Sequence, residues 1–431
     1  MHEVAIVNSP PSVKREPVSK RLKSELIHPN RGGYMTCLQF SPDGRRIIAG
    51  DYPGGTVMVW DVDSGKELRR IDVGSGLRSS MRYFYVSPDW KTIFAPRAKT
   101  KYEALQQDGK KMYRWQFDGE VRTRSLETGE PGRTYKHQPP RNVSYMLLSP
   151  DGAHFITDEE TPGIYPGRPP RAQSVWDVKT GQATPLPSQM QISGAFSRDG
   201  KSVIMTSIDG PYQFNIALKR IDITTGKEIW SVPISEKNCM VFCSEFSHDG
   251  RILAGEKRIW PDVKNFKEYK TKLIWWDAET GRELNSWAGA EDAGYFLNMY
   301  SPDGKLQAVM NGRGRSLSLH LFRAADQQML RSIRLLEFKP DETAGTIGLA
   351  FSPDGKRMVA VTRTVPADRK NRSADPRDLP QPRMYRIDPE SGKILETMIA
   401  PPGVCDMPRF SPDGKTLAIG GLGRIMLWDM P

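Results

Sequence analysis

A tetrapeptide recurring eight times, four short apolar segments per recurrence, and a last recurrence one segment short together predict an all-β chain. The predicted architecture is a single closed β-propeller of eight four-stranded blades, its ring closed by a strand from the N-terminus. The tetrapeptides are Ser41-Pro-Asp-Gly, Ser87-Pro-Asp-Trp, Ser149-Pro-Asp-Gly, Ser197-Arg-Asp-Gly, Ser247-His-Asp-Gly, Ser301-Pro-Asp-Gly, Ser352-Pro-Asp-Gly and Ser411-Pro-Asp-Gly. Their serines lie 46, 62, 48, 50, 54, 51 and 59 residues apart, a spacing that suits one blade per copy.

Each tetrapeptide is a hairpin turn. Serine caps it, proline presets φ near −65° at the first central position, and glycine takes the left-handed position. Trp90 stands where the other copies have glycine, so a different turn is expected there. An apolar segment precedes each turn (Cys37-Leu-Gln-Phe40; Gly348-Leu-Ala-Phe351) and another follows (Ile47-Ile-Ala; Leu417-Ala-Ile). A third often ends in Trp-Asp: Trp60-Asp61, Trp176-Asp177, Trp276-Asp277 and Trp428-Asp429. A second tight turn then leads to a fourth segment, as in Asp63-Ser-Gly-Lys66 followed by Glu67-Leu-Arg-Arg-Ile71.

The eighth repeat stops two residues after Trp428-Asp429 and lacks its fourth segment. Lys20-Arg-Leu-Lys-Ser-Glu-Leu-Ile27 reads like the fourth segments of other repeats, for example Lys393-Ile-Leu-Glu-Thr-Met-Ile399. It is expected to supply the missing strand and remove an open sheet edge. Residues 1–19 are then a flexible tail, and residues 20–431 the propeller.

At these residues the chain resembles the WD40-repeat family, in its bacterial-type Phe-Ser-Pro-Asp-Gly form, from about Lys20 to Asp429. The resemblance implies a propeller that serves as an interaction scaffold. Two departures stand out. The family's Gly-His dipeptide is absent, and four Trp-Asp positions read Arg124-Ser125, Ile221-Asp222, Phe322-Arg323 and Ile387-Asp388. Blade packing needs apolar bulk more than tryptophan itself, so the fold is expected to survive. The family's internal His–Asp networks are not assumed.

The composition, 38% hydrophobic with 38 Gly and 34 Pro, suits short strands and tight turns. No apolar run approaches the roughly 18 residues of a membrane helix, and the N-terminus lacks the features of a secretory signal. The four cysteines (Cys37, Cys239, Cys243, Cys405) are scattered, and are read as reduced thiols of a cytoplasmic protein.

Long insertions fall between second and third segments, at 96–119, 158–173, 256–272 and 363–383. Gathered on one face, they point to the binding side, with drift on a tolerant surface as the bland alternative. Segment 256–272 carries Lys257, Arg258, Lys264, Lys267, Lys270 and Lys272 against three acids. Segment 363–383 carries Arg363, Arg369, Lys370, Arg372, Arg377 and Arg383 against three more. Arg313 and Arg315 lie between them in sequence, so three consecutive blades hold +8 of the chain's +11. The expected partner-binding residues are therefore Lys264, Lys267, Lys270, Arg313, Arg315, Arg369, Lys370 and Arg372, forming an arc suited to an acidic partner. Solvated loop charge is the competing explanation. Aromatics accompany the charge: Trp260, Phe266 and Tyr269 in one insertion, Tyr102, Tyr113, Trp115 and Phe117 in another. They could stack bases, but more often such residues pack an insertion or anchor a protein.

Cys239, Cys243 and His248 lack a second ligand pair for tetrahedral zinc, so the cysteines read as small core residues. No nucleophile elbow, P-loop or dinucleotide fingerprint occurs. Asp222-Ile-Thr-Thr-Gly-Lys-Glu-Ile-Trp230 resembles the tryptophan-docking repeat of eight-bladed quinoprotein dehydrogenases, which implies a cofactor enzyme as one alternative. Its simpler reading is a turn with Trp230 packed between blades. The preferred expectation is a monomeric, non-enzymatic scaffold for a macromolecule, with no cofactor or metal. A protein partner is favoured over nucleic acid, and no membrane is expected.

Overall fold

The computed structural model describes residues 17–28, 34–52, 55–74, 84–97, 100–107, 110–160, 162–165, 171–187, 190–209, 214–234, 236–262, 269–289, 295–313, 316–368, 380–403 and 408–430. Among them, all the regular elements are strands, and they form eight four-stranded antiparallel sheets plus one of three strands. Blade one pairs Tyr34–Phe40, Arg46–Tyr52, Thr56–Asp61 and Glu67–Asp72 in chain order. Blades two to seven repeat this order, with Tyr85–Val86, Asn142–Leu148, Met190–Phe196, Cys239–Phe246, Tyr295–Tyr300 and Glu342–Phe351 as their first strands.

Blade eight pairs Arg409–Phe410, Thr416–Gly421 and Arg424–Asp429, and its fourth strand is Leu22–Ile27 from the N-terminus. Glu25 lies opposite Met426 and Leu26 opposite Ile425. Arg424 donates to Glu25 at 3.0 Å, and Arg21 donates to Glu396 of blade seven at 2.6 Å. Leu26 is buried in a core shared by blades eight and one. Ser19, assigned to the tail from sequence, donates its amide to the Ile399 carbonyl at 3.1 Å.

The turn glycines explain how blades dock. Gly152 has φ +70°, and a Cβ there would stand 2.7 Å from Pro88 of the preceding turn. At Gly44, φ +72°, the neighbour is Pro412 at 3.3 Å, which links blade one to blade eight. The sheets stay separate, and the ring closes through packing of this kind. Within a turn, the Ser41 hydroxyl donates to Asp43 at 2.5 Å while accepting from the Arg46 amide at 2.9 Å. That hydroxyl, then the Arg45 amide, holds the Asp43 carboxyl below the usual carboxylate range.

Trp90 corrects the expectation of a different second turn. It adopts φ +58° and donates its amide to the Ser87 carbonyl at 2.9 Å, as Gly44 does to Ser41 at 2.8 Å. A left-handed backbone costs a non-glycine residue about 1–2 kcal/mol. Its indole, however, is buried between blades one and two, with the Arg46 guanidinium 5.2 Å from the ring. Burying a tryptophan is worth about 3 kcal/mol or more, so packing wins.

The third-strand positions behave as bulk requires. Trp60 and Trp428 are buried, and so are the substitutes Ile221, Phe322 and Ile387. Arg124 is the exception, and Phe94 and Val121 fill the core of its blade. Trp230 packs over Gly281 in the turn of the next blade, which is the structural role its turn sequence implied.

Candidate functional site

The three-stranded sheet is built entirely from insertions. Residues 96–119 are not a plain loop: Thr100–Gln107 and Lys110–Phe117 form a hairpin between the second and third strands of blade two. The neighbouring insertion of blade three adds Gly163–Tyr165 to the outer side of Lys110–Phe117. Two insertions from adjacent blades thus make one accessory sheet.

Strand alternation sorts the side chains of this sheet. Tyr102 lies opposite Trp115, Ala104 opposite Tyr113, and Tyr165 opposite Tyr113 on the far side. One face is therefore aromatic. Tyr102 and Trp115 have ring centroids 5.0 Å apart, Tyr102 and Tyr113 6.0 Å, and Trp115 and Phe117 6.2 Å. These spacings suit favourable aromatic pairs. Lys111 places its ammonium 5.4 Å from the Tyr113 ring centroid. Phe117 is buried at the base of the sheet, whereas Tyr102 is 63% exposed. The other face carries Lys101, Glu103 and Arg114, with Arg114 donating to Glu103 at 3.1 Å.

A polar network in blade three anchors the base. Glu159 is fully buried and meets His137 at 2.6 Å and Arg141 at 3.0 Å. The Thr157 hydroxyl also donates to Glu159 and accepts from the Trp176 indole at 2.9 Å. Asp158 accepts from Arg171 and from Gln173, both at 2.8 Å, where the insertion leaves and rejoins the blade. A buried carboxylate with this many partners is satisfied, and removing one of them would leave a charge uncompensated. Gly119 lets the hairpin rejoin blade two, since a Cβ there would stand 2.2 Å from the Arg141 carbonyl. The histidine–acid network, not assumed from the sequence, is thus present in one blade without a Gly-His dipeptide.

Of the eight expected partner-binding residues, Lys264, Lys267, Arg315, Arg369, Lys370 and Arg372 lie outside the described residues, as does Cys405. Arg313 ends the second strand of blade six, and its side chain is likewise outside them. Lys270 is exposed at the start of the third strand of blade five. Several charges counted with the arc are structural. Lys257 is buried and meets Glu236 at 2.8 Å, and Arg258 meets Glu256 at 2.5 Å. Arg363 is buried within a strand. Trp260 is buried with its centroid 5.6 Å from Tyr269, so these two rings pack their own insertion.

Cys239 and Cys243 are buried in the first strand of blade five, and Cys37 is partly buried. Burial pushes the Cys239 thiol up to about 11 and the Cys243 thiol up to about 12, so neither is a thiolate near neutrality. No group of metal-ligating side chains occurs among the described residues, and no helix there is long and apolar enough to cross a membrane.

The WD domain, G-beta repeat family matches residues 21–61 and 392–429, which hold the closing strand and both ends of the ring. The fold is similar to the C-terminal WD40 domain of Sif2, with a TM-score of 0.57 at 13% identity, covering 95% of this chain and 98% of that one. It is similar to a eukaryotic initiation factor at 0.55 and 12% identity, covering 92% and 85%. It is also similar to the dihydro-heme d1 dehydrogenase NirN at 0.54 and 12% identity, covering 86% and 67%. No curated protein matches the chain. The repeated turns, the four-stranded sheets and these likenesses agree on the fold: the chain is a β-propeller whose first and last blades match WD domain, G-beta repeats.

Proposed function

We propose that the chain is a non-enzymatic scaffold that holds another protein on its insertion face. The observation that carries this reading is the accessory sheet, whose aromatic ladder runs from buried Phe117 to exposed Tyr102. Aromatic side chains standing partly clear of the core supply contact area at low entropic cost, which is the usual make-up of a protein hot spot. An arc of Lys264, Lys267, Lys270, Arg313, Arg315, Arg369, Lys370 and Arg372 would add attraction for an acidic partner. The chain would act as a monomer in a reducing, cytoplasmic setting, where the buried Cys239 and Cys243 would remain thiols.

The test is affinity capture from the source cells with the full chain and with a variant carrying Tyr102→Ala, Tyr113→Ala and Trp115→Ala. One or more proteins should be retained by the full chain and reduced about tenfold by the variant, the effect of losing about one to two kcal/mol of contact. Equal retention by a well-folded variant would remove the aromatic sheet from the interaction.

A further inference from the structure

We propose that Thr100–Gln107 receives an extended segment of a partner protein as an added strand, and that this segment alternates apolar and acidic residues. The proposal rests on the scaffold reading and names how the partner is held.

The accessory sheet has the order Gly163–Tyr165, Lys110–Phe117, Thr100–Gln107, so the last strand is hydrogen-bonded on one side only among the described residues. It pairs over eight rows without a register shift. The blades treat their outer edges differently. Seven of the eight pair their fourth strand through a register shift, and the remaining one has an outer strand of three residues, Ala183–Pro185, ending in proline. Bulges, short strands and proline are among the devices that blunt an edge against pairing, as are charged side chains. Thr100–Gln107 has no bulge, is not short and lacks proline; its edge charges are Lys101 and Glu103, and at about 3.3 Å per residue it spans roughly 26 Å.

The register also fixes which groups point outward. Gln107 opposite Lys110 leaves a two-residue connection, and the flanking pair of such a hairpin exchanges hydrogen bonds. Alternation along the ladder then assigns inward bonds to Leu105, Glu103 and Lys101. The amides and carbonyls of Tyr102, Ala104 and Gln106 face out. Residues of an incoming strand opposite Tyr102 and Ala104 share the aromatic face, where apolar side chains would cover the exposed tyrosine. Those between them lie on the face of Lys101 and Arg114. On that face two cations, Lys101 and Arg114, stand against one anion, Glu103, which favours acidic residues and disfavours a second copy of the same edge.

The test pans a displayed library of random decapeptides on the full chain and on Ala104→Pro. Proline there removes one outward amide while sparing the bonds to the hairpin partner, a substitution that edge strands accept. Enriched peptides should alternate apolar and acidic residues, and binding, read by fluorescence anisotropy, should fall about tenfold or more in Ala104→Pro. N-methylation of alternate peptide amides, which leaves the protein untouched, should weaken binding to a similar degree. Equal binding to both proteins, indifference to N-methylation, or no enrichment overturns the proposal. A dimer that Ala104→Pro dissolves would place a second copy at the edge and overturn it as well. Cellular partners lost with the aromatic variant but kept by Ala104→Pro would leave the scaffold reading standing and strand addition refuted.

Discussion

Glu245 illustrates how one residue sets a condition on the whole ring. It lies in the first strand of blade five, and accepts a hydrogen bond from the Tyr300 amide of blade six at 3.2 Å. Burial pushes its carboxyl up to about 7, against the relief given by that amide and by Arg198. The folded chain therefore favours the neutral acid. Below an unfolded value of 4.5 both states are protonated and nothing is lost. As pH rises from there towards 7 the unfolded state ionises first, so stability falls, then levels off above 7. The loss is at most about 3 kcal/mol. Glu245→Gln keeps an acceptor for Tyr300 and should melt higher than the parent at pH 8 but not at pH 4. Melting curves of both proteins across that range check it, and parallel pH profiles would contradict it.

Among the elements, the N-terminal strand has the widest consequences. Leu22–Ile27 covers the outer edge of Arg424–Asp429, seats Leu26 in the core between blades eight and one, and is followed back along the chain by Arg21, which ties to Glu396 of blade seven. Without it a strand edge opens and buried apolar surface is exposed. Deleting residues 1–28 should lower the melting temperature by several degrees and promote association. Scanning calorimetry with sedimentation checks this; an unchanged transition and a soluble monomer would show that the strand contributes little. The accessory sheet differs, because it stands on the ring and is not part of its closure.

Over the whole molecule the question is whether charge is gathered or spread. Lys257 and Arg258 are paired with Glu236 and Glu256, so neither is available to an arc of free cations. Exposed charges are screened over about 8 Å at physiological salt, and only a clustered arc would act as a unit. Reversing Lys264, Lys267, Arg369 and Lys370 to Glu should lower the salt needed to elute the protein from a heparin matrix. Reversing Lys201, Lys227, Lys356 and Lys415, exposed near the turns, should lower it less. Equal shifts from both sets would reduce the arc to ordinary solvated charge.

The repeated turns, the four strands of each blade and the closing strand were legible in the sequence, because each depends on local chemistry: glycine at positive φ, serine capping, and apolar alternation at fixed spacing. Lys20 to Ile27 could be matched to other fourth segments for the same reason. The turn at Trp90 was not legible, since its left-handed backbone is tolerated only through burial between two blades. Tyr102, Tyr113 and Trp115 were visible as aromatics in an insertion, but their ladder was not. It requires the register of one hairpin and a strand from the next blade, and nothing local in either insertion specifies that pairing. Likewise, Glu159 meets His137 and Arg141 from the segment before its blade, while Thr157 of its own strand takes the Trp176 indole, so the network exists only once the blade is folded. Local backbone preferences made the ring readable; contacts between residues far apart in the chain decided what stands on its face.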